Sequence, residues 1–353
     1  MAFGRKIYEE LEGYTPGEQP KEPGVIKLNT NENPYPPSPR VLEALQALSA
    51  DNARRYPDPV AAPLRRVCAE IYGLPGEEWL IAGNGMDELL ALVLRAFVDP
   101  GDTVLALYPT YSLYEVLCRI HDCQLRYIDA DENWQPPESF YEEKARLCFL
   151  TRPNAPTGLA LDRALVEKFC TNFPGIVVID EAYVDFADDH CMDFPERFEN
   201  VIVMRTFSKS YSLAGLRIGI AAANPALIRE FMKIKDSYNM NAWSQEAALA
   251  AVQDQEYMHQ SAERVRKTRK HLREQLLDLG FTVHPSQTNF LLAHWAGTPS
   301  AAEIFETLRR DHHILVRYFN HRRLDNALRI TIGTDEECAA LVHALQRIIG
   351  DRG

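Results

Sequence analysis

Ile176-Val177-Val178-Ile179-Asp180-Glu181-Ala182-Tyr183 is a four-residue apolar run that ends directly in a carboxylate. A short run of β-branched residues predicts a strand buried on both faces, and the acid at its end falls at the sheet edge, where open α/β folds bind ligands. Outward from this strand the same pattern recurs at Trp79–Ala82, Thr103–Leu107, Leu125–Ile128, Leu147–Leu150, Val201–Met204 and Ile218–Ala222. Helical candidates at 86–97, 112–121, 138–145 and 162–172 lie between several of them. Alternation of this kind predicts an α/β fold with a mostly parallel central sheet flanked by helices.

From about residue 225 the pattern changes. Charged helices at 225–235, 242–253 and 256–279 lead to strands near 282–293, a helix at 299–310, strands at 314–317 and 328–332, and a closing helix at 335–348. This predicts a smaller α+β domain, and a chain of 353 residues exceeds what one compact core usually needs. The expected division is an amino-terminal arm at 1–37, a large domain at 38–240 and a small domain at 241–353. The arm is rich in Pro, Gly and Asn, with a helical period only around Lys6–Leu11, and is expected to pack on the small domain or a partner subunit.

With 38 basic and 50 acidic residues the net charge is −12, which disfavours nucleic acid as a partner. The longest apolar helix candidate, Leu89–Val98, is too short to span a bilayer and contains Arg95, and the first twenty residues lack a signal-peptide core. Seven scattered cysteines, none spaced C-x-x-C, read as reduced core thiols rather than disulfides or metal ligands. A cytoplasmic protein with no metal and no membrane partner is expected.

Three segments carry candidate chemistry. Asp180 should be partly buried at its strand end and so require a cationic partner, the alternative being a helix cap. Gly83-Asn84-Gly85-Met86-Asp87-Glu88 joins a strand to a helix, a turn that lets free backbone N–H groups approach an anion. It matches neither G-x-G-x-x-G nor a P-loop, so a nucleotide is poorly supported. The third segment, Arg205-Thr206-Phe207-Ser208-Lys209-Ser210-Tyr211, follows another strand and leads to Arg217. A lysine among small hydroxyl residues and aromatics loses its proton more readily than one on the surface, and Arg217 adds a fixed cation suited to phosphate. Together these match the needs of pyridoxal phosphate: a lysine for an imine, a carboxylate for the ring nitrogen, a cup for the phosphate, and an aromatic face from Tyr111.

In these residues the chain resembles the fold-type I pyridoxal-phosphate aminotransferases, and most closely the histidinol-phosphate branch. Matching segments occur in order from Leu28–Pro34 through Arg55–Asp58, Gly83–Glu88, Pro109–Tyr111, Pro153–Gly158, Asp180–Tyr183, Ser208-Lys209 and Leu213–Arg217 to Leu328–Thr334. The resemblance implies that Lys209 carries the cofactor, Asp180 pairs with its ring nitrogen, Tyr183 reaches its phenolic oxygen and Tyr111 stacks on its ring. It assigns the phosphate to backbone at Met86 and Asp87 with Thr206, Ser208 and Arg217. Tyr56 would reach the cofactor of a neighbouring subunit, so a homodimer with active sites at the interface is expected. One departure stands out: the asparagine usual before Pro-Thr-Gly is Ala155 here. Either Asn154 takes its part through a shifted backbone or Tyr183 supplies that hydrogen bond alone.

Arg317 and Arg329 each interrupt an apolar segment, and guanidinium forks suit a carboxylate or phosphate. The resemblance gives Arg329, assisted by Arg317, the carboxylate of glutamate and the phosphate of histidinol phosphate, with Tyr14 and Asn31 closing over the substrate. The adjacent His312-His313 reads as a surface turn. The implied reaction exchanges an amino group between L-histidinol phosphate and 2-oxoglutarate, a small amino donor and a 2-oxo acid. The alternatives are an aromatic amino-acid aminotransferase or a phosphorylated-amino-acid decarboxylase on the same scaffold, or a non-catalytic regulator.

Overall fold

The computed structural model describes residues 3–5, 7, 11 and 13–350, so most of the helical period expected around Lys6–Leu11 lies outside the described residues. The arm supplies β1 (Ile26–Lys27), followed by three helices: α1 (Pro39–Gln46), α2 (Ala50–Arg54) and α3 (Ala62–Tyr72). These three helices are absent from the expectations above. Their signals are short-range. Ser38 accepts from the Arg40 amide at 3.2 Å and Pro39 occupies the first turn of α1, while α3 ends on Gly73 at φ 70°.

The central sheet runs from β2 (Leu80–Gly83) through β3 (Thr103–Tyr108), β4 (Gln124–Asp129), β5 (Leu147–Thr151), β6 (Ile176–Asp180) and β7 (Val201–Thr206) to β8 (Gly219–Ala223). Between these strands lie α4 (Met86–Phe97), α5 (Leu113–His121), α6 (Arg163–Asn172) and α7 (Phe194–Arg197). The strand order is β2-β8-β7-β6-β5-β3-β4, and only β8 runs antiparallel to its neighbours. Alternate residues divide between two apolar layers. Cys148, Val177, Ile179, Val201 and Val203 enter one, and Leu147, Phe149, Val178, Ile202 and Met204 the other. Both faces are therefore covered, which is why the strands read as continuous apolar runs. The stretch expected as a helix at 138–145 is only a 3₁₀ turn, Glu138–Glu142, because its adjacent Phe140 and Tyr141 do not recur at helical spacing.

The chain then forms α8 (Pro225–Ile234), α9 (Ala242–Val252) and the 24-residue α10 (Gln255–Asp278). After them come β9 (Thr282–Val283), β10 (Phe290–His294), α11 (Ala301–Asp311), β11 (Ile314–Leu315), β12 (Arg317–Tyr318), β13 (Ala327–Thr331) and α12 (Asp335–Gly350). The strands expected near 282–293 are two, and the one expected at 314–317 is divided. Pro285 and the turn after it separate β9 from β10, since proline has no N–H to extend a ladder. Val316 marks a change of partner. β11 pairs in parallel with β1 of the arm, whereas β12 joins the antiparallel sheet β12-β13-β10-β9. The arm is tied here on both sides, with Leu28 donating its amide to Leu315 at 2.7 Å and accepting that of Thr331 at 2.9 Å.

All seven cysteines are free and buried, as their spacing suggests. Among the described residues no helix is long and apolar enough to cross a membrane, and no group of His, Cys, Asp and Glu forms a metal-ligating cluster. Beyond Asp180 the chain buries a second acid, Glu181, which accepts from Arg205 Nε at 2.9 Å while that guanidinium lies 4.9 Å from the Tyr72 ring centroid. Glu181→Ala strands the buried cation and is expected to lower unfolding stability by about 3–5 kcal/mol. Urea denaturation measures this, and a loss below about 1 kcal/mol, the range of exposed pairs, contradicts it.

Candidate active site

Three chain segments converge at the carboxyl ends of β2, β6 and β7, around a cavity of about 830 Å³. Its wall includes Asp180 from β6, Thr206, Ser208 and Lys209 from the end of β7 and the turn after it, and Met86 and Asp87 from the start of α4. A cavity at this edge is where the crossovers of an open sheet leave room for a ligand.

Asp180 is 1% exposed. Its Oδ2 accepts from the Tyr114 hydroxyl at 2.5 Å and its Oδ1 from the Ala182 amide at 3.0 Å. A phenol and a backbone N–H thus hold the carboxyl group in place. Burial raises its pKa to about 6, against the lowering effect of the two hydrogen bonds.

Lys209 Nζ donates to the Thr30 carbonyl of the arm at 3.1 Å. Burial first, then the nearby Arg329 and Arg217 cations, lower its pKa to about 8, with Glu32 and Asp87 opposing. The readily lost proton expected of this lysine therefore has a physical cause. Its main chain is held as well, because Asn33 Nδ2 donates to the carbonyls of Lys209 and Ser210 at 3.1 and 3.2 Å.

The anion seat is defined by two close backbone approaches. Gly85 adopts φ 87°, and a Cβ there would sit 2.6 Å from an Arg217 guanidinium nitrogen. A Cβ on Gly219 would sit 2.6 Å from the Met86 backbone nitrogen. The helix start can thus press against β8 and Arg217 can reach over it only because both positions lack side chains. Arg217 Nη2 contacts Asp87 Oδ2 at 3.1 Å, and the Ser208 amide is turned onto Thr206 Oγ1 at 3.1 Å.

Tyr183 is buried, and its hydroxyl accepts from Asn31 Nδ2 at 2.9 Å. Tyr111 lies edge-on to Tyr14 at 5.8 Å between centroids, which brings an arm residue onto the aromatic wall. Arg317 and Arg329 are directly opposite each other in the β12–β13 pair, and both line the cavity. Arg329 Nη2 donates to the Asn29 carbonyl at 2.8 Å, whereas its buried Nε has no hydrogen-bond partner.

Two expected residues lie elsewhere. Asn154 does not line the cavity: its Nδ2 donates to the Pro109 carbonyl and to Thr157 Oγ1, each at 3.0 Å, and Ala155 faces the cavity instead. No backbone shift brings Asn154 into the part of the missing asparagine. Tyr56 is 80% exposed, stacked on Tyr238 at 4.3 Å, and outside the cavity of its own chain. The sequence reading missed Tyr114 and Asn33. Tyr114 lies in the first turn of α5, three residues after Tyr111, and its ring is edge-on to that of Tyr111 at 5.7 Å. Asn33 had no local signal, since its partners are main-chain carbonyls 176 and 177 residues away.

The profile of the family described as aminotransferase class I and II matches residues 23–345. A histidinol-phosphate aminotransferase from Synechocystis sp. is 46% identical over 355 residues, covering 100% of both chains. Another from Microcystis aeruginosa is 44% identical over 346 residues, covering 98% of each. Among solved structures, histidinol-phosphate aminotransferase from Sinorhizobium meliloti in complex with pyridoxal-5'-phosphate superposes with a TM-score of 0.86 at 28% identity, over 93% of this chain and 92% of that one. An L-threonine-O-3-phosphate decarboxylase from Porphyromonas gingivalis shares the fold, with a TM-score of 0.80 at 23% identity over 92% of this chain and 100% of that one. In sequence, in fold and in the convergence of its strand ends, the chain belongs to the class I and II aminotransferase family.

Proposed function

We infer that the chain is a pyridoxal-phosphate-dependent aminotransferase that exchanges an amino group between L-histidinol phosphate and 2-oxoglutarate, and so serves histidine biosynthesis. The observation that carries the substrate assignment is the Arg317–Arg329 pair. Two guanidinium groups directly opposite on neighbouring strands repel each other unless an anion lies between them. A phosphate monoester or a glutamate carboxylate is such an anion, and the unpartnered Arg329 Nε offers it a donor.

The residues present fit the cofactor. The glycine-lined seat at Gly85 and Gly219 leaves backbone N–H groups and Arg217 for a phosphate, while Lys209 and Asp180 supply an amine and an acid to one cavity. When bound, pyridoxal phosphate supplies a carbonyl that condenses with amines and a ring that withdraws electrons from the substrate α-carbon. The protein does the rest. Lys209, its pKa lowered to about 8, would hold the group through its amine and, when free, would be the base that moves the substrate α-proton. Asp180 would hold the ring-nitrogen proton with a negative charge on a residue that is itself almost wholly buried. With Ala155 lining the cavity, Tyr183 alone is assigned the hydrogen bond to the phenolic oxygen, its own hydroxyl oriented by Asn31. Tyr111 forms the aromatic wall, and Tyr14 closes it from the arm.

The functional assembly is proposed to be a homodimer. The exposed Tyr56, outside its own cavity, is available to the cofactor phosphate of the neighbouring subunit.

Turnover with histidinol phosphate and 2-oxoglutarate tests the assignment against phenylalanine as donor. A kcat/KM for histidinol phosphate at least about a hundredfold higher is expected, because phenylalanine leaves two cavity-lining cations without their dianion. Preference for phenylalanine, or release of carbon dioxide from a phosphorylated amino acid without amino transfer, overturns it.

A further inference from the structure

The acid at the end of β6 is joined to a line of hydroxyl groups that no part of the reaction above uses. Tyr114 is fully buried and stacks on Phe149 with ring centroids 4.4 Å apart, so packing fixes its ring. Its hydroxyl lies 2.5 Å from Asp180 Oδ2 and 2.8 Å from Thr151 Oγ1. Thr151 Oγ1 is in turn 3.0 Å from Thr110 Oγ1, which is 3.3 Å from Asn154 Oδ1. Four contacts within hydrogen-bonding distance thus lead from the carboxyl group to the Asn154 amide. The far end is anchored, since both Asn154 N–H donors are taken by Pro109 and Thr157, and its oxygen faces the line as an acceptor.

Each hydroxyl owns one proton, so the donors in such a line are interdependent. When Asp180 is ionised, it needs a proton from Tyr114. Tyr114 must then accept from Thr151, and because three hydroxyl protons serve four contacts, Thr110 donates either to Thr151 or to Asn154 Oδ1, not to both. When Asp180 is protonated and donates from Oδ2, the line reverses and ends on Asn154 Oδ1. The two protonation states of the acid therefore correspond to two orientations of one relay.

We propose that Tyr114 is a positioning residue of this enzyme: through the relay Thr110–Thr151–Tyr114 it delivers a hydrogen bond to Asp180 that keeps the acid ionised and aimed at the cofactor's ring nitrogen. The proposal rests on the cofactor assignment above and specifies how the protein prepares for that cofactor. It also gives Asn154 a place, at the end of the relay rather than in the cavity. The other groups that bear on Asp180 either oppose ionisation or lie across the cavity. Asp87 on α4 and the adjacent Glu181 disfavour a second negative charge, while Lys209 and Arg217 line the same cavity without a direct contact. Tyr114 and the Ala182 amide are the hydrogen-bond donors to Asp180 among the described residues, and of the two only Tyr114 can be removed by substitution.

The test is made on cofactor-free protein, where the carboxylic-acid C=O stretch of Asp180 is isolated by infrared difference spectroscopy against Asp180→Asn and followed with pH. Tyr114→Phe keeps the ring and its stacking and removes only the hydroxyl. It is expected to raise the Asp180 titration midpoint by about one to two pH units, the value of a hydrogen bond to a charged group. Thr151→Val breaks the relay one link further out and is expected to shift the midpoint upward by a smaller amount. An unchanged midpoint in a folded Tyr114→Phe protein overturns the proposal. If that variant does not fold, an unchanged midpoint in Thr151→Val overturns it. In the loaded enzyme the acid limb of the kcat profile should move upward with the midpoint while KM for 2-oxoglutarate holds, a split that mere loosening of the fold does not produce. A shifted midpoint in protein without amino-transfer activity leaves the relay standing and removes the aminotransferase reading. Full activity with an unmoved midpoint does the reverse.

Discussion

Lys209→Ala is expected to abolish the visible absorbance of the reconstituted protein and to lower turnover by at least about ten-thousand-fold, since one amine serves as both nucleophile and proton carrier. The loss should be specific to chemistry. The side chain lies at the cavity wall, and among the described residues its Nζ donates to the Thr30 carbonyl alone, so the circular dichroism and melting of the cofactor-free variant should stay close to those of the parent. A variant that retains turnover within tenfold rejects the mechanism at its centre. The parent carries a second signature. Attack on an aldehyde requires the neutral amine, and burial together with Arg329 and Arg217 lowers the Lys209 pKa to about 8. The rate at which cofactor-free protein captures pyridoxal phosphate should therefore climb as pH rises toward 8 and level off above it. A rate still climbing near the ordinary lysine pKa contradicts the perturbed amine.

The second large effect belongs to Arg329. Removing one member of a buried, hydrogen-bonded charge pair costs about 2–5 kcal/mol, or roughly 30- to several-thousand-fold in affinity. Arg329→Ala is expected to lower kcat/KM by that order in both half-reactions, because glutamate and histidinol phosphate share the site. Arg317 lies directly across the strand pair. Arg317→Ala should weaken histidinol phosphate more than glutamate, since a phosphate dianion uses two cations where a carboxylate is served by one fork. Single-turnover measurements of each half-reaction separate the two. Equal losses for the two substrates in Arg317→Ala contradict the shared anion. Full activity of Arg329→Ala with glutamate contradicts the assignment of the fork.

Much of the site was readable along the chain because its members fall at strand ends. Asp180 closes an apolar run, Lys209 and Arg217 follow another, and Met86 and Asp87 open a helix after a glycine turn; local pattern alone marks such positions. Long-range choices left no such mark. The expected strand at 314–317 changes partner at Val316, from the arm to the small sheet, although its residues are uniformly apolar up to Arg317. The helices between 39 and 72 are not among those expected, although α3 carries Leu64, Val67, Cys68 and Ile71 at helical spacing.

Strand order, the antiparallel β8 and the meeting of residues 31, 87, 180, 209 and 329 in one cavity are products of tertiary packing. The same holds for what orients Asp180. The fold places a phenol from α5 against the acid, whose residue also lines the cavity where the cofactor's ring nitrogen would meet it. By itself the sequence determined the α/β class, the apolar strands and the residue types at their ends, because solvation and backbone preference act over a few residues. Only the folded chain decided which of those ends share a cavity and which donors face each charge, because contacts between residues hundreds of positions apart depend on how the layers pack.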